Sequence, residues 1–379
     1  MCSSPNELAS VSDGGQGGNV VEGQKHSVLM VGNFLSESFG TRSVCDDLAL
    51  RLRSRGWPVL TTSDRLFRPA RLLDMLRTCW MRRKQYEVAI VDVYSGSAFL
   101  WAEAVCKLLR HLGKPYILTL HGGGLPSFAS TQTRRVRRLL HNASAVTTPS
   151  RYLQTEMNPY RNDLQLLPNP LDVGIYQFRE RTQAAPRLVW LRKFHRLYDP
   201  SLAPRVVALL QDGFPELQLT MSGPDKGDGS LAEARRTAVE LSVANRVHFR
   251  GSVPAPEVPA QLESGDIFLN TTSVDNTPVS VLEAMACGLC IVSTNVGGIP
   301  YLLEHEQDSL LVPAGDPQAM AAAIRRILTE PALAGLLSAN ARRKAASFDW
   351  SKILPQWEHL LTSVAATQPE RLREQWGTS

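Results

Sequence analysis

The sequence predicts an α/β protein made of two doubly wound parallel sheets that face one another. Three observations carry this. At 379 residues the chain exceeds what one hydrophobic core usually organises. Its first half alternates short continuous apolar runs with helical patterns, as expected for parallel strands covered on both faces. After an irregular stretch containing three prolines the alternation restarts, without any repeat in the sequence itself.

Residues 1–26 are rich in Gly, Ser and Asn and poor in large apolar side chains, which reads as a disordered tail. They also lack the basic-then-apolar plan of a secretory signal. Ser27–Phe34 (SVLMVGNF) reads as a buried strand, followed by a polar glycine-containing loop and a helix from about Thr41 through Arg55. PVLTTS is a second strand. The next segment is a strongly basic helix, and Tyr86–Tyr94 (YEVAIVDVY) is a third strand. A helix from about Ala98 to Leu112 leads into PYILTLHGGG, a strand ending at His121, and Ala145–Ser150 gives another short strand. Leu166–Arg187 shows little periodicity and reads as an interdomain linker. RLVWLR, LQLTMSG, VHFRG, IFLN and CIVST are the strands of the second sheet, and Trp350–Thr367 is an amphipathic last helix.

Hydrophobic content of 43% with 20% charged residues is that of an ordinary soluble globular protein. No run of about 18 apolar residues is present to span a bilayer. The six cysteines are scattered, which does not suggest a disulfide framework and fits a reducing cytoplasm. Cys287 and Cys290 form a C-x-x-C. With no second cysteine pair or histidine cluster nearby, buried structure is the better reading than metal or redox chemistry.

The net charge of +5 is unevenly placed. Seven Lys or Arg residues lie between Arg65 and Lys84 against one acid, Asp74, beside an apolar stripe of Leu72, Leu73, Leu76 and Trp80. Arg134, Arg135, Arg137 and Arg138 form a second cluster on a helix. Two readings stay open for these surfaces: a solvated face, or a face for anionic lipid or a phosphorylated acceptor. Nucleic acid is not expected as a partner, because no aromatic-basic interleaving accompanies the charge.

The most informative segment is Val274–Pro300, VDNTPVSVLEAMACGLCIVSTNVGGIP. Asp275 lies in a loop, Pro278 suits a first helical turn, and Val281, Leu282, Met285 and Ala286 form an apolar helix face carrying Glu283 just after its start. A loop acid and a helix acid directed at one cleft, with unpaired backbone N–H groups between them, suit a ligand bearing both hydroxyls and phosphate. Sugar nucleotides are such ligands. Strand ends are where ligands bind in sheets of this type. His121, followed by three glycines, can donate to a sugar hydroxyl there, and Arg192 can hold a pyrophosphate bidentately as negative charge develops. The loop Gly32–Gly40 lacks the G-x-G-x-x-G spacing of a dinucleotide site.

The spacing of Asp275 and Glu283 resembles the E-x7-E signature of retaining glycosyltransferase family 4, with Asp in place of the first Glu. His121-Gly122-Gly123, VHFRGSVP, ASAVTTPSRYLQTEM and LLPNPLDVGIYQF also resemble segments of that family. The resemblance implies a GT-B fold whose last helix crosses back to the first domain. It implies a tail over 1–26, an acceptor-side domain over 27–182, a nucleotide-sugar domain over 183–349 and a returning helical segment over 350–379. By position, Asp275 and His121 would contact the transferred sugar, Glu283 both ribose hydroxyls, and the backbone of Val279 and Ser280 phosphate or sugar. Val253 would hold the base, with a core valine as the alternative, and Gly40 and Thr41 would contribute backbone contacts to donor or acceptor. The family places a lysine five positions after the arginine, whereas this chain has Leu197, leaving Arg196, Lys193 or Lys226 as substitutes.

The implied activity is a retaining, metal-independent transfer from a nucleotide-sugar donor to a glycan, lipid-linked or small-molecule acceptor. No cofactor beyond the donor is called for. Absence of a strand-end D-x-D motif agrees with metal independence. The implied place is the cytoplasm, with contact at the inner face of the membrane left open by the basic surfaces. A catalytically silent sugar-nucleotide or glycan binder and a sugar-nucleotide epimerase are the alternatives.

Overall fold

The computed structural model describes residues 25–34 and 44–366. The expected tail, apart from Lys25 and His26, and the loop residues Gly40 and Thr41 lie outside the described residues.

The first half runs β1 (Val28–Val31), α1 (Val44–Ser54), β2 (Val59–Thr62), α2 (Arg68–Met81), β3 (Val88–Val93), α3 (Ser97–His111) and β4 (Tyr116–Leu120). It continues with α4 (Leu125–Thr131), α5 (Thr133–His141), β5 (Ala145–Thr148), α6 (Arg151–Met157) and β6 (Gln165–Leu166). The strands pair in parallel in the order β2-β1-β3-β4-β5-β6. Every residue of β1, β4 and β5 is buried, which is why these strands read as unbroken apolar runs rather than alternating ones.

The second half runs β7 (Arg187–Leu191), α7 (Leu202–Leu210), β8 (Gln218–Ser222), α8 (Ser230–Glu240), β9 (Val247–Gly251), α9 (Val258–Glu263) and β10 (Ile267–Asn270). It ends with α10 (Val279–Ala286), β11 (Cys290–Thr294), α11 (Ile299–Leu302), β12 (Ser309–Val312), α12 (Pro317–Thr329), α13 (Pro331–Ala345) and α14 (Trp350–Ala366). Its parallel sheet has the order β12-β11-β10-β7-β8-β9. Both sheets therefore reverse direction of winding, the first between β1 and β3 and the second between β7 and β10. A crevice opens at each reversal, outside the carboxyl ends of the strands.

α14 leaves the second domain and packs on the first sheet. Trp350, Ile353, Leu354, Trp357, Leu360 and Leu361 share one core cluster with Val28, Met30, Val88 and Ile90. The Trp57 indole donates to Glu358 at 2.9 Å, fixing the register of the helix. The two interdomain crossings also pair with each other: Leu171 N–H donates to Phe348 O at 2.8 Å and Trp350 N–H to Leu171 O at 3.1 Å.

Two details differ from the sequence reading. The linker contributes residues to strands at both ends, Leu166 to β6 and Arg187 to β7. The apolar stripe on the basic helix is split: Leu72 and Leu76 turn half inward, whereas Leu73 and Trp80 face outward. Arg71, Met75 and Cys79, spaced four apart, take the buried face instead.

Candidate active site

Between the domains lies a cleft of about 930 Å³, and one of its walls is built at the second sheet's winding reversal. Arg192 and Lys193 follow β7, Val279, Ser280 and Glu283 begin α10, and Val253 follows β9; all of them line the cleft. The first domain contributes Val44, Asp47 and Arg51, the linker contributes Asp172 and Tyr176, and α14 contributes Trp350.

Pro278 caps α10 with an extended conformation and no side-chain bond, so the first N–H groups of the helix have no capping acceptor. Ser280, 7% exposed, carries an Oγ with no hydrogen-bond partner among the described residues. Buried polar atoms are nearly always paired, so an unpaired donor on a cleft wall marks a place where a ligand oxygen fits. One turn further, Glu283 accepts a hydrogen bond from the Tyr176 hydroxyl at 2.9 Å. Burial raises the Glu283 pKa above the ordinary glutamate range, against the opposing effects of the Tyr176 bond and the Arg192 charge.

Arg192 is held from two sides. Its guanidinium stacks over Tyr198 at 4.3 Å and bonds to the Asp275 carboxylate, and both ionic side chains are largely buried. Among the described residues the buried Nε of Arg192 has no hydrogen-bond partner, so the guanidinium is not fully paired within the protein. The other Asp275 oxygen accepts the Asn276 N–H at 2.9 Å, leaving this carboxylate engaged on both oxygens. Asp275 does not itself line the cleft but reaches it through Arg192.

Of the three substitutes considered for the absent lysine, Lys193 is on the cleft wall. Its pKa is pushed down first by desolvation, then by the charges of Lys226 and Arg192, so Lys226 stands close enough to repel it. Arg196 is outside the cleft lining: its backbone N–H bonds to Asp228 at 2.8 Å, and a Cβ on Gly229 would stand 4.0 Å from its guanidinium. Leu197 is 49% exposed, and its carbonyl accepts from Ser273 N–H at 2.8 Å.

His121 lies just past β4, and its Nε2 is 3.0 Å from Asp92 Oδ1. A carboxylate only accepts, so Nε2 carries a proton in this bond. Tyr94 stacks on the imidazole at 4.9 Å. The glycine turn after His121 meets the Asp275 loop of the other domain: a Cβ on Gly123 would stand 3.3 Å from the Asp275 carbonyl oxygen. Nearby, the Ser150 hydroxyl donates to Asn276 Oδ1, a second pin between the domains. His121 is therefore beside the Asp275 loop but outside the lining of the cleft.

Sequence reasoning missed Tyr176 and Asp92. Tyr176 sat within a segment quoted only for its resemblance, and Asp92 within a buried strand. Cys287 and Cys290 are buried, with thiols pushed up to about 12 by burial, consistent with a structural role. Among the described residues no three His, Cys, Asp or Glu side chains converge as a metal site, and no helix is long and apolar enough to cross a membrane.

Comparison with known proteins gives concordant results for both halves. The model for glycosyltransferase family 4 matches residues 24–174, and the model for glycosyl transferases group 1 matches residues 187–330. A D-inositol 3-phosphate glycosyltransferase of Thermobispora bispora is 24% identical over 322 residues, covering 76% of this chain and 74% of the relative. Sucrose-phosphate synthase from Thermosynechococcus elongatus superposes with a TM-score of 0.76 at 18% identity, over 90% of this chain and 100% of that one. Anabaena HepE in complex with UDP and glucose superposes with a TM-score of 0.73 at 17% identity, over 89% and 100% of the two chains. The two halves carry the fold and the sequence features of one family, and the chain belongs to glycosyltransferase family 4, with the GT-B fold.

Proposed function

We propose that this glycosyltransferase moves a sugar from a nucleoside-diphosphate donor to a hydroxyl acceptor with retention of configuration and without a metal ion. The convergence at one cleft wall of Glu283, the uncapped start of α10 with its unpaired Ser280 Oγ, and the Arg192–Lys193 cation pair carries the reading. That order of groups matches the order of a nucleoside diphosphate. Val253 would flank the base, Glu283 would accept from the ribose hydroxyls, and the Val279 and Ser280 N–H groups with Arg192 and Lys193 would bind the diphosphate. His121 and Asp275 would lie on the sugar side, Asp275 acting at least through its hold on Arg192.

The acceptor oxygen would bond to the anomeric carbon from the face on which the diphosphate departs. As the bond from that carbon to the phosphate oxygen breaks, its electron pair stays on the diphosphate, and the same oxygen takes the acceptor proton. Arg192 and Lys193 would stabilise the charge that develops on the leaving group. The acceptor class remains glycan, lipid-linked or small molecule.

A thermal-shift series with UDP-, GDP-, ADP- and dTDP-sugars tests donor binding, because a ligand of the native state raises its melting temperature by mass action. UDP donors head the series, since the HepE structure holds UDP. Proton NMR of the product then reads the anomeric configuration. No shift with any donor rejects the site, an inverted product rejects retention, and isomerisation of donor alone supports the epimerase alternative. Binding without transfer to any acceptor supports the silent-binder reading.

A further inference from the structure

The outer face of α2 and the turn before it combine exposure and charge in a way the proposed transfer chemistry does not use. Phe67 is 72% exposed, Leu73 68%, Leu66 59%, Met81 57% and Trp80 47%. Single exposed apolar residues are normal on soluble proteins, but five within sixteen positions form a patch that needs an occupant. Leu73, Arg77, Trp80 and Met81 follow one helical stripe, opposite the buried Arg71, Met75 and Cys79, and the exposed Lys84 lies in the turn just past the helix end.

The charge around this patch is of one sign. Arg65, Arg68, Arg77, Arg82 and Lys84 are exposed, and among the described residues only Arg65 of these pairs with an acid, Asp64 at 3.7 Å with both side chains in solvent. Asp74, the one acid inside the stretch, is turned towards the sheet, where it accepts from Thr62 Oγ1 at 3.2 Å. It therefore does not neutralise the outer face. Arg83 stacks over Trp80 at 4.9 Å, adding a cation to the most amphipathic side chain of the patch.

The patch is also fixed in place. Arg71 donates to Arg65 O at 2.6 Å, to Leu66 O at 3.2 Å and to Asn33 Oδ1 at 2.9 Å. The exposed Leu66–Phe67 turn is thereby tied to the residues that leave the end of β1. Because the first sheet is parallel, this is the same edge from which His121 leaves β4.

Exposed aromatic and aliphatic side chains ringed by Lys and Arg match the headgroup region of an anionic bilayer, where cations meet lipid phosphates and the apolar tips leave water. We propose that the outer face of α2, with the Leu66–Phe67 turn, docks on an anionic lipid surface. Phe67, Leu73 and Trp80 enter the interface while Arg68, Arg77 and Lys84 contact phosphates. Docking stands apart from the transfer reading; its bearing on the acceptor, which would then be presented at the bilayer surface, rests on it.

The full chain is sedimented with vesicles of phosphatidylcholine and with vesicles mixed equally with phosphatidylglycerol. Binding is expected to the mixed vesicles only. Replacing Arg68, Arg77 and Lys84 together by Gln should weaken it roughly 100-fold, from the usual contribution of each cation near an anionic surface. The Phe67→Ser, Leu73→Ser double variant should keep low-salt attraction but lose the fraction that survives added salt. Calorimetry with UDP, and thermal melting, should not change in either variant, so loss of folding or of the donor site is read separately. The proposal is overturned if wild-type protein ignores the mixed vesicles at low salt, or if the charge variant binds them equally well. Capture on polyglutamate without vesicle binding overturns it in favour of an acidic polypeptide partner.

Discussion

Glu283 and Asp275 are both acids near a cationic centre, yet they are expected to respond in opposite ways. Burial holds the Glu283 pKa high, so its ionisation is unfavourable in the folded protein. Below the unfolded-state pKa both states are protonated and nothing is lost. Above the raised folded-state pKa the folded protein bears the full penalty. Glu283→Gln should therefore raise the melting temperature at neutral pH and leave it unchanged in acid, while the Tyr176 bond is kept. Affinity for a nucleoside diphosphate should fall about 10- to 150-fold, the loss of a charge-assisted bond of roughly 1.5–3 kcal/mol. In the parent protein that affinity should weaken on acidification at a higher pH than an ordinary glutamate would give. An unchanged diphosphate affinity removes Glu283 from the site. Asp275 instead occupies Arg192. Asp275→Ala should free the guanidinium, so diphosphate affinity is retained or rises while transfer falls. Asp275→Glu, which adds a methylene and restores the family acid, should keep that affinity and alter turnover or sugar preference, since a displacement near an ångström can cost about 100-fold. Equal loss of diphosphate affinity in the Glu283 and Asp275 variants would remove the distinction drawn between them. Glu283 was legible in sequence because an acid just inside a helix start has a fixed direction. The engagement of Asp275 was not, because its partner is 83 positions away.

At the scale of elements, legibility followed burial. β1, β3, β4 and β10 lie inside their sheets, and the packing on both faces writes a continuous apolar run. β6 closes a sheet edge with only two residues, too few to show a run, and was not legible; β12 (SLLV) closes the other sheet with an apolar run as long as that of β10, and the sequence reading passed over it. The basic helix shows the opposite error: Leu73 and Trp80 joined a stripe by spacing, though packing turned them to solvent. The loop before α10 shows how a glycine pair can be read once a backbone is in view. A Cβ on Gly298 would stand 1.9 Å from the Asn276 carbonyl oxygen, so Gly298→Ala must displace the loop that carries Asp275. Overpacking of this kind costs about 1–3 kcal/mol. A lower melting temperature is expected, together with a drop in transfer larger than any drop in diphosphate affinity, because Glu283 stands on α10 beyond the displaced loop. A variant with parental melting and turnover would show that the close approach is not rigid.

Across the whole molecule, the first domain is completed by the end of the chain. Trp357 is 5% exposed and belongs to the cluster that covers Val28, Met30, Val88 and Ile90, residues more than 260 positions earlier. The same helix begins beside the linker, where Leu171 N–H donates to Phe348 O and Trp350 N–H donates to Leu171 O, and Trp350 itself lines the cleft. α14 thus joins the first domain's core to the donor cleft, so a defect in its packing should be felt at both. Trp357→Ala removes a large buried ring and is expected to cost about 3–5 kcal/mol. If α14 serves only the first sheet, a melting profile should split, the first domain unfolding early and the second at its parental temperature. If it couples the domains through Trp350, the whole transition should move down together, and saturating UDP should recover part of the shift by holding the cleft in its native form. We expect the second result. Early loss of the first domain alone, with UDP giving the variant no protection, would confine α14 to local packing.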